Sequence, residues 1–103
     1  MATGQEVILT KGTTDSVNSS TFEIKIGKPK LVCIYPDANL GTDEANLMLQ
    51  DPDGTYVQCT DDNGDIVLSA SRTMEVVVGP GIYRLEVATR TASWGAFTQD
   101  YYL

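Results

Sequence analysis

Apolar and polar residues alternate along two neighbouring stretches, residues 73–78 and 82–87, which meet at Gly79-Pro80-Gly81. Alternation with a period of two predicts two β-strands, each with one apolar face. The apolar positions are Met74, Val76 and Val78 in the first stretch and Tyr83, Leu85 and Val87 in the second. The spacing of Pro80, Gly81 and Tyr83 predicts a tyrosine corner, in which the phenol hydroxyl reaches backbone a few residues upstream.

These two strands are expected to lie in different sheets. If they paired as a hairpin, Glu75 would stand opposite Glu86, and like charges in direct cross-strand contact are destabilising. A corner instead carries the chain from one sheet of a sandwich to the other, so we expect a crossing here.

Other short runs also have the pattern of strands. They cover residues 5–10, 21–26, 30–35, 46–50, 55–59, 66–70 and about 96–103. In the second run, Phe22, Ile24 and Ile26 are predicted to point inward, and the uncharged residues of 30–35 are typical of a central strand covered on both faces. Asp51-Pro52-Asp53-Gly54 predicts a hairpin between the fourth and fifth runs.

No stretch of ten or more residues has helical periodicity, and turn residues recur between the runs. The pattern therefore predicts an all-β fold with a single domain, residues 1–103. We expect an antiparallel Greek-key β-sandwich, immunoglobulin-like or jelly-roll, with eight to nine short strands.

Composition narrows the class of partner. The chain has 14 acidic and 7 basic residues and a net charge of −7, which repels nucleic acid and anionic membrane surfaces. The first residues show neither the basic region nor the apolar stretch of a signal peptide, so we expect synthesis in the cytoplasm without export. In that compartment Cys33 and Cys59 are expected to be reduced, with a disulfide as the alternative.

Catalytic chemistry has little support in the sequence. The chain contains no histidine, which removes the commonest general base and the Ser-His-Asp and Cys-His arrangements. The two cysteines are too far apart in sequence for a redox pair, and no glycine-rich phosphate loop precedes a helix. We expect neither an enzyme nor a cofactor.

Two binding functions remain as alternatives. Asp51, Asp53, Asp61 and Asp65 offer the oxygen ligands that calcium prefers, although aspartate is also a common turn residue. Tyr35, Tyr56 and Trp94 could stack on sugar rings, although core packing explains them equally well. Lys25, Lys28 and Lys30 form either an anion-binding patch or a solvated turn, and the turn is favoured.

The C-terminal part of the chain is rich in aromatic residues, which are enriched where proteins meet. Together with the first strand it supplies the predicted interface residues: Val7, Ile8, Trp94, Phe97, Tyr101 and Tyr102. Sealing of the core is the competing interpretation of the same aromatic rings.

Two resemblances bear on function. Leu47 to Gly54, Tyr56-Val57 and Gly81 to Val87 resemble the bacterial pre-peptidase C-terminal domain and related immunoglobulin-like sandwiches, which implies the sandwich and an appendage of secreted enzymes. We expect the chain to depart from that pattern, with no enzyme attached and no export signal. By type, a small acidic sandwich without histidine looks like the capsid decoration, cement and tail proteins of bacteriophages. That resemblance implies a virion location and protein subunits of a larger assembly as partners.

Overall fold

A computed structural model describes residues 4–37 and 39–101 of the protein. This part of the chain contains strands and turns and no helix. The strands are β1 (Glu6–Gly12), β2 (Val17–Asn18), β3 (Phe22–Ile24), β4 (Lys30–Pro36), β5 (Ala45–Gln50), β6 (Tyr56–Gln58), β7 (Thr60–Asp61), β8 (Gly64–Asp65), β9 (Val67–Leu68), β10 (Met74–Val77), β11 (Gly81–Val87) and β12 (Trp94–Asp100).

All strand pairs are antiparallel, and all but one of them belong to two main sheets. The four-stranded sheet has the order β1-β12-β4-β10. The six-stranded sheet has the order β2-β11-β5-β6, with β3 also paired to β11 and β9 to β5. Strands β7 and β8 form a separate small hairpin. The predicted hairpin at residues 51–54 is present as the β5–β6 pair.

The core lies between the two main sheets. Val32, Ile34 and Ala96 come from the four-stranded sheet, and Leu47 and Leu85 from the six-stranded sheet; all are at most 3% exposed. Because both inner faces contribute to one apolar cluster, the arrangement is a β-sandwich.

The chain crosses between the sheets at residues 78–80, since β10 pairs with β4 and β11 pairs with β5. The Tyr83 hydroxyl donates a hydrogen bond of 2.8 Å to the carbonyl oxygen of Gly79, which is the contact that the corner spacing predicts. Gly81 has a φ of 154°, and a Cβ there would lie 2.8 Å from Leu49 Cδ1. The corner therefore needs glycine for both its backbone angle and its space.

The predicted apolar face of β10 is present but points away from the core: Met74 and Val78 are 51% and 59% exposed, whereas Val77 on the other face is buried. Two expectations about the strands were wrong. Ile26 is 85% exposed because β3 ends at Ile24 and the chain turns there, with Gly27 at a φ of 72°. The last strand begins at Trp94 rather than at about residue 96, and residues 102–103 lie outside the described part.

Candidate functional site

The four-stranded sheet carries a row of apolar residues on the side that faces away from the core. Val7 of β1 pairs with Phe97 of β12, Phe97 pairs with Cys33 of β4, and Cys33 pairs with Met74 of β10. Directly paired residues point to the same side of an antiparallel sheet, so the row crosses all four strands.

Neighbouring residues extend this row. Leu31 pairs with Val76 two residues along the strands, which places both on the same side. The ring of Tyr35 lies on the same side and meets the ring of Phe97 edge to face at 5.5 Å. We call these residues the outer face: Val7, Leu31, Cys33, Tyr35, Met74, Val76 and Phe97.

Parts of the outer face are exposed to solvent, and none of its seven side chains is charged. Val7 is 57% exposed and Met74 is 51% exposed, while Phe97, Leu31 and Val76 are half-buried. No strand or loop within residues 4–37 and 39–101 packs over the side chains of Val7 and Met74, since both remain this exposed. A contiguous apolar sheet face of this kind is typical of a surface that another protein covers.

Charged and polar groups lie at the rim of the outer face. The Lys11 ammonium is 5.1 Å from the centre of the Tyr35 ring and forms an ion pair with Asp37. The hydrogen bond from Lys11 holds the pKa of Asp37 below its ordinary value, against a smaller opposing effect of burial. At another edge, the Gln5 side chain donates to Gln99 at 3.3 Å. An apolar centre with a polar rim is the anatomy of protein interfaces.

The structure divides the six predicted interface residues. Val7 and Phe97 are brought into direct contact on the outer face. Tyr101 is 39% exposed beyond the end of β12, where its backbone N–H donates to the carbonyl of Pro29. Ile8 and Trp94 are 3% and 0% exposed, so they belong to the core and offer no surface in the single chain. Tyr102 lies outside the described residues.

Trp94 is buried because Asp43 holds it. Asp43 is 2% exposed, and its carboxylate accepts hydrogen bonds from Trp94 Nε1 (3.1 Å), the backbone N–H groups of Thr91 and Ala92, and the Thr91 hydroxyl. Burial by itself raises the pKa of Asp43, but these hydrogen bonds together outweigh it and bring the pKa below the ordinary value. Asp43 is therefore an ionised structural residue that ties the loop before β5 to the loop before β12.

Arg90 has a similar structural role. It is 5% exposed, and its guanidinium donates to the carbonyl oxygens of Thr10, Thr14 and Trp94 at 2.7–3.0 Å. These bonds join the β1 end of the four-stranded sheet to the loop before β12 and hold the edge strand in place.

The aspartates of the calcium alternative lie in two separate turns. Asp51 Oδ1 accepts the backbone N–H groups of Asp53 and Thr55, both at 2.9 Å, and Asp61 Oδ1 accepts that of Asn63 at 2.8 Å. Asp61 is also paired with Arg72. Within the described residues, no three acidic, cysteine or histidine side chains come together as a metal site. The side chains of Asp51 and Asp61 therefore stabilise their turns.

The aromatic rings of the sugar alternative do not form one platform. Trp94 is buried, Tyr35 packs against Phe97, and the Arg84 guanidinium covers the Tyr56 ring at 3.9 Å. The candidate carbohydrate residues are therefore dispersed over the molecule.

The three lysines line a groove of about 810 Å³ near Tyr101. Acidic residues balance them there, because Glu6, Glu23 and Asp100 line the same groove and Lys30 forms an ion pair with Asp100 at 3.6 Å. The lining thus has equal numbers of basic and acidic side chains, which weakens the anion-patch interpretation.

Both cysteines are free, and burial raises the pKa of each thiol. Cys33 lies on the outer face, and Cys59 is half-buried near the six-stranded sheet. A raised pKa lowers the thiolate fraction at neutral pH, so burial does not activate either thiol as a nucleophile.

Sequence reasoning missed five members of the outer face: Leu31, Cys33, Tyr35, Met74 and Val76. One signal could have found three of them, Leu31, Cys33 and Tyr35. The uncharged residues of the run 30–35 predict a strand covered on both faces, and the sandwich covers only one of these faces.

Fold and surface together define the class of protein: an all-β sandwich of antiparallel sheets with a partly exposed apolar face and, among the described residues, no cluster of metal-ligating side chains. None of these residues forms a helix that could span a membrane. No family model matches the chain, and no curated protein matches it in sequence. The resemblance of residues 45–89 to the pre-peptidase C-terminal domain is therefore without a family match.

One solved structure shares the fold over nearly the whole chain. The protein is similar to the crystal structure of the SPBc2 prophage-derived protein YomS, with a TM-score of 0.58 and 12% sequence identity. The likeness covers 93% of this chain and 91% of that chain. At this identity it shows a common fold.

Proposed function

We propose that this protein is a non-catalytic structural subunit of a bacteriophage particle, either a capsid decoration or cement protein or a tail accessory protein. It attaches through the outer face to other protein subunits and stabilises the assembly by burying apolar surface. Its location under this proposal is the virion. The single observation that carries the proposal is the apolar row of Val7, Phe97, Cys33 and Met74 across the outer side of the four-stranded sheet, whose end residues Val7 and Met74 are more than half exposed.

Fold and charge support the same proposal. A prophage-derived protein shares the fold along 93% of this chain, which favours a phage origin. The chain carries 21 charged residues among 103, yet none of the seven residues of the outer face is charged. Since a neutral apolar face can be buried without desolvating a charge, it suits docking onto another subunit.

The remaining chemistry is consistent with a purely structural role. Of the aspartates of the calcium alternative, Asp51 and Asp61 cap turns, and the four lie in two separate turns; the aromatic rings of the sugar alternative are dispersed. Neither alternative gains an observation in its favour from the structure.

Binding of outer-face variants to phage particles tests the proposal. Particles prepared without this protein are mixed with purified chain, and the bound fraction is measured by co-sedimentation. Replacing both Val7 and Met74 by lysine would place two charges in the contact, and we expect binding to weaken by at least about 100-fold, or about 2.7 kcal/mol. Both side chains are more than half exposed, so the variant should fold normally.

The matched control changes the other sheet. Val57 and Ile82 are 45% and 39% exposed there, and replacing both by lysine should leave binding unchanged. Thermal unfolding of all three chains verifies that each is folded. If the wild-type chain does not bind, or if the two double variants bind as well as each other, the proposed role of the outer face is wrong.

A further inference from the structure

Strand β10 is the edge of the four-stranded sheet and pairs, within the described chain, only with β4. The N–H of Ile34 donates to the carbonyl of Thr73 at 2.9 Å, which makes these two residues a hydrogen-bonded pair. In an antiparallel ladder such pairs alternate with pairs that do not bond each other. Glu75 and Val77 therefore direct their backbone groups to β4, whereas Met74 and Val76 direct theirs outward, away from the sheet.

An apolar groove of about 470 Å³ runs beside this open edge, between the two main sheets. Its lining is mostly apolar and includes Leu47, Leu49, Cys59, Ile66, Val77 and Tyr83, together with the polar Gln58, Thr60 and Glu75, the last of which is paired with Arg72. Leu47, Val77 and Tyr83 are core residues that are at most 6% exposed, so the floor of the groove is the side of the hydrophobic core itself.

The two sheets differ in how they end at this groove. On the six-stranded side, the Gln58 amide donates to the carbonyls of Leu47, Cys59 and Ile66 at 3.0–3.2 Å, which occupies the backbone acceptors there. On the β10 side, no side chain in the described residues donates to or accepts from the backbone of Met74 or Val76. The open backbone groups thus lie on one wall only.

Backbone groups that point outward, beside an apolar groove, are the features that a sheet edge offers to an added strand. Side chains of an extended segment alternate between two sides. Paired with β10, one set would enter the groove and the other would continue the outer face next to Met74 and Val76. The segment must therefore be apolar on both sides over about four residues, the length of β10.

The acidic residues next to β10 indicate which residues are favourable at one end of this segment. The β7–β8 hairpin, whose Thr60 lines the groove, carries three aspartates: Asp61, Asp62 and Asp65. Arg72, just before β10, forms ion pairs with Asp61 (3.2 Å) and Glu75 (2.8 Å), whereas Asp62 and Asp65 form none with the described residues. A segment that pairs antiparallel to β10 would bring its C-terminal end to this hairpin, where a lysine or arginine is favourable.

We propose that the β10 edge and its groove bind an extended segment of a partner protein, apolar over about four residues and basic at its C-terminal end. A second copy of this chain fits less well, because each copy has a net charge of −7 and would bring its own acidic hairpin to the site. This surface adjoins the outer face, because Met74 and Val76 of β10 belong to both, but the β10 edge and its groove can be tested without a phage particle.

A synthetic peptide tests this site. From its N-terminus it consists of a solubilising segment of glycines and lysines, a glycine linker, four valines and two lysines. Its binding is measured by fluorescence anisotropy against three chains. Val76→Pro removes the outward N–H and leaves the bonds to β4, so binding should fall at least about tenfold. Val76→Thr keeps that N–H and should bind like the wild type. Thermal unfolding checks that both variants fold.

The reactivity of Cys59 tests whether the peptide binds in the groove. In a Cys33→Ser chain Cys59 is the only thiol, and its rate of maleimide modification reports access to the groove. Peptide at about ten times its Kd should slow this reaction about tenfold by mass action. Asp62 and Asp65 are exposed, so the double variant Asp62→Lys and Asp65→Lys should fold normally. It is expected to bind the peptide ending in two lysines more weakly than the wild type does, and to bind a peptide ending in two glutamates more tightly.

Three results with the peptide would overturn the proposal. They are equal binding by the Val76→Pro and Val76→Thr chains, unchanged Cys59 reactivity with bound peptide, and indifference to the charge at the hairpin. Concentration-dependent self-association that Val76→Pro abolishes would also overturn it, since the occupant would then be a second copy.

Discussion

Replacing Asp43 by alanine removes the carboxylate that joins two loops at one end of the sandwich. Three N–H donors lose their acceptor: Trp94 Nε1 and the backbone N–H groups of Thr91 and Ala92, at 2.7–3.1 Å. The Thr91 hydroxyl loses a further bond of 2.9 Å. The cavity left behind is small, so unpaired donors dominate the cost.

The loss of unfolding free energy in Asp43→Ala depends on which of these donors water can reach. Thr91 is exposed and Ala92 half-buried, so water can replace part of what their N–H groups lose, whereas Trp94 is fully buried. A hydrogen bond to a charged group contributes about 1.5–3 kcal/mol, and an unsatisfied buried donor costs about 1–3 kcal/mol. We therefore expect Asp43→Ala to lower the free energy of unfolding by about 3–4 kcal/mol. Asp43→Asn keeps an acceptor of the same shape and should lose about 1 kcal/mol.

Urea unfolding of the wild type and both variants measures these differences, and the change in Tm should be about 12–30 °C for alanine. The pH dependence is a second readout. Because the pKa of Asp43 is lower in the folded chain than the unfolded value of about 3.9, its contribution is full above that value and is lost as the pH falls through the folded pKa. The wild type should thus lose more stability than Asp43→Asn below about pH 4. An alanine variant within about 1 kcal/mol of wild type would refute this account of Asp43.

Two further substitutions test the corner and the sheet edge. Tyr83→Phe removes the 2.8 Å hydrogen bond to the Gly79 carbonyl and should lower the free energy of unfolding by about 0.5–1.5 kcal/mol; no loss would mean that the bond does not hold the corner. Gly95→Ala would place a Cβ 2.8 Å from the Lys11 backbone nitrogen and closer still to the Leu9 carbonyl. It should separate β1 from β12 and cost at least about 2 kcal/mol, and amide exchange that stays slow in both strands would contradict that expectation.

Much of the architecture could be predicted from local patterns. Tyr83, Leu85 and Val87 are buried on one face, and the Glu75–Glu86 argument correctly placed the two strands in different sheets. Short turn motifs also specify their own geometry, as the hairpin at residues 51–54 shows. These features depend on residues that are close in sequence.

Features that depend on long-range packing could not be predicted. Alternation identifies the apolar side of β10 but does not say whether it faces the core or a partner, and Met74 and Val76 lie on the outer face. The aromatic content of the C-terminal part predicts Trp94 at an interface, whereas the structure buries it against Asp43, a contact that spans 51 residues and leaves no local signal. Val7 and Phe97 were predicted separately, and only the register of β1 with β12 shows that they are neighbours.

The central claim is that this chain is a structural component of an assembled phage particle. Quantitative mass spectrometry of purified particles, made by a phage that encodes the chain and washed at high salt, tests this most directly. The account predicts that the chain remains with the particles in many copies, in a fixed ratio to the major capsid or a tail protein. A chain that is expressed in the infected cell but absent from the washed particles would contradict it.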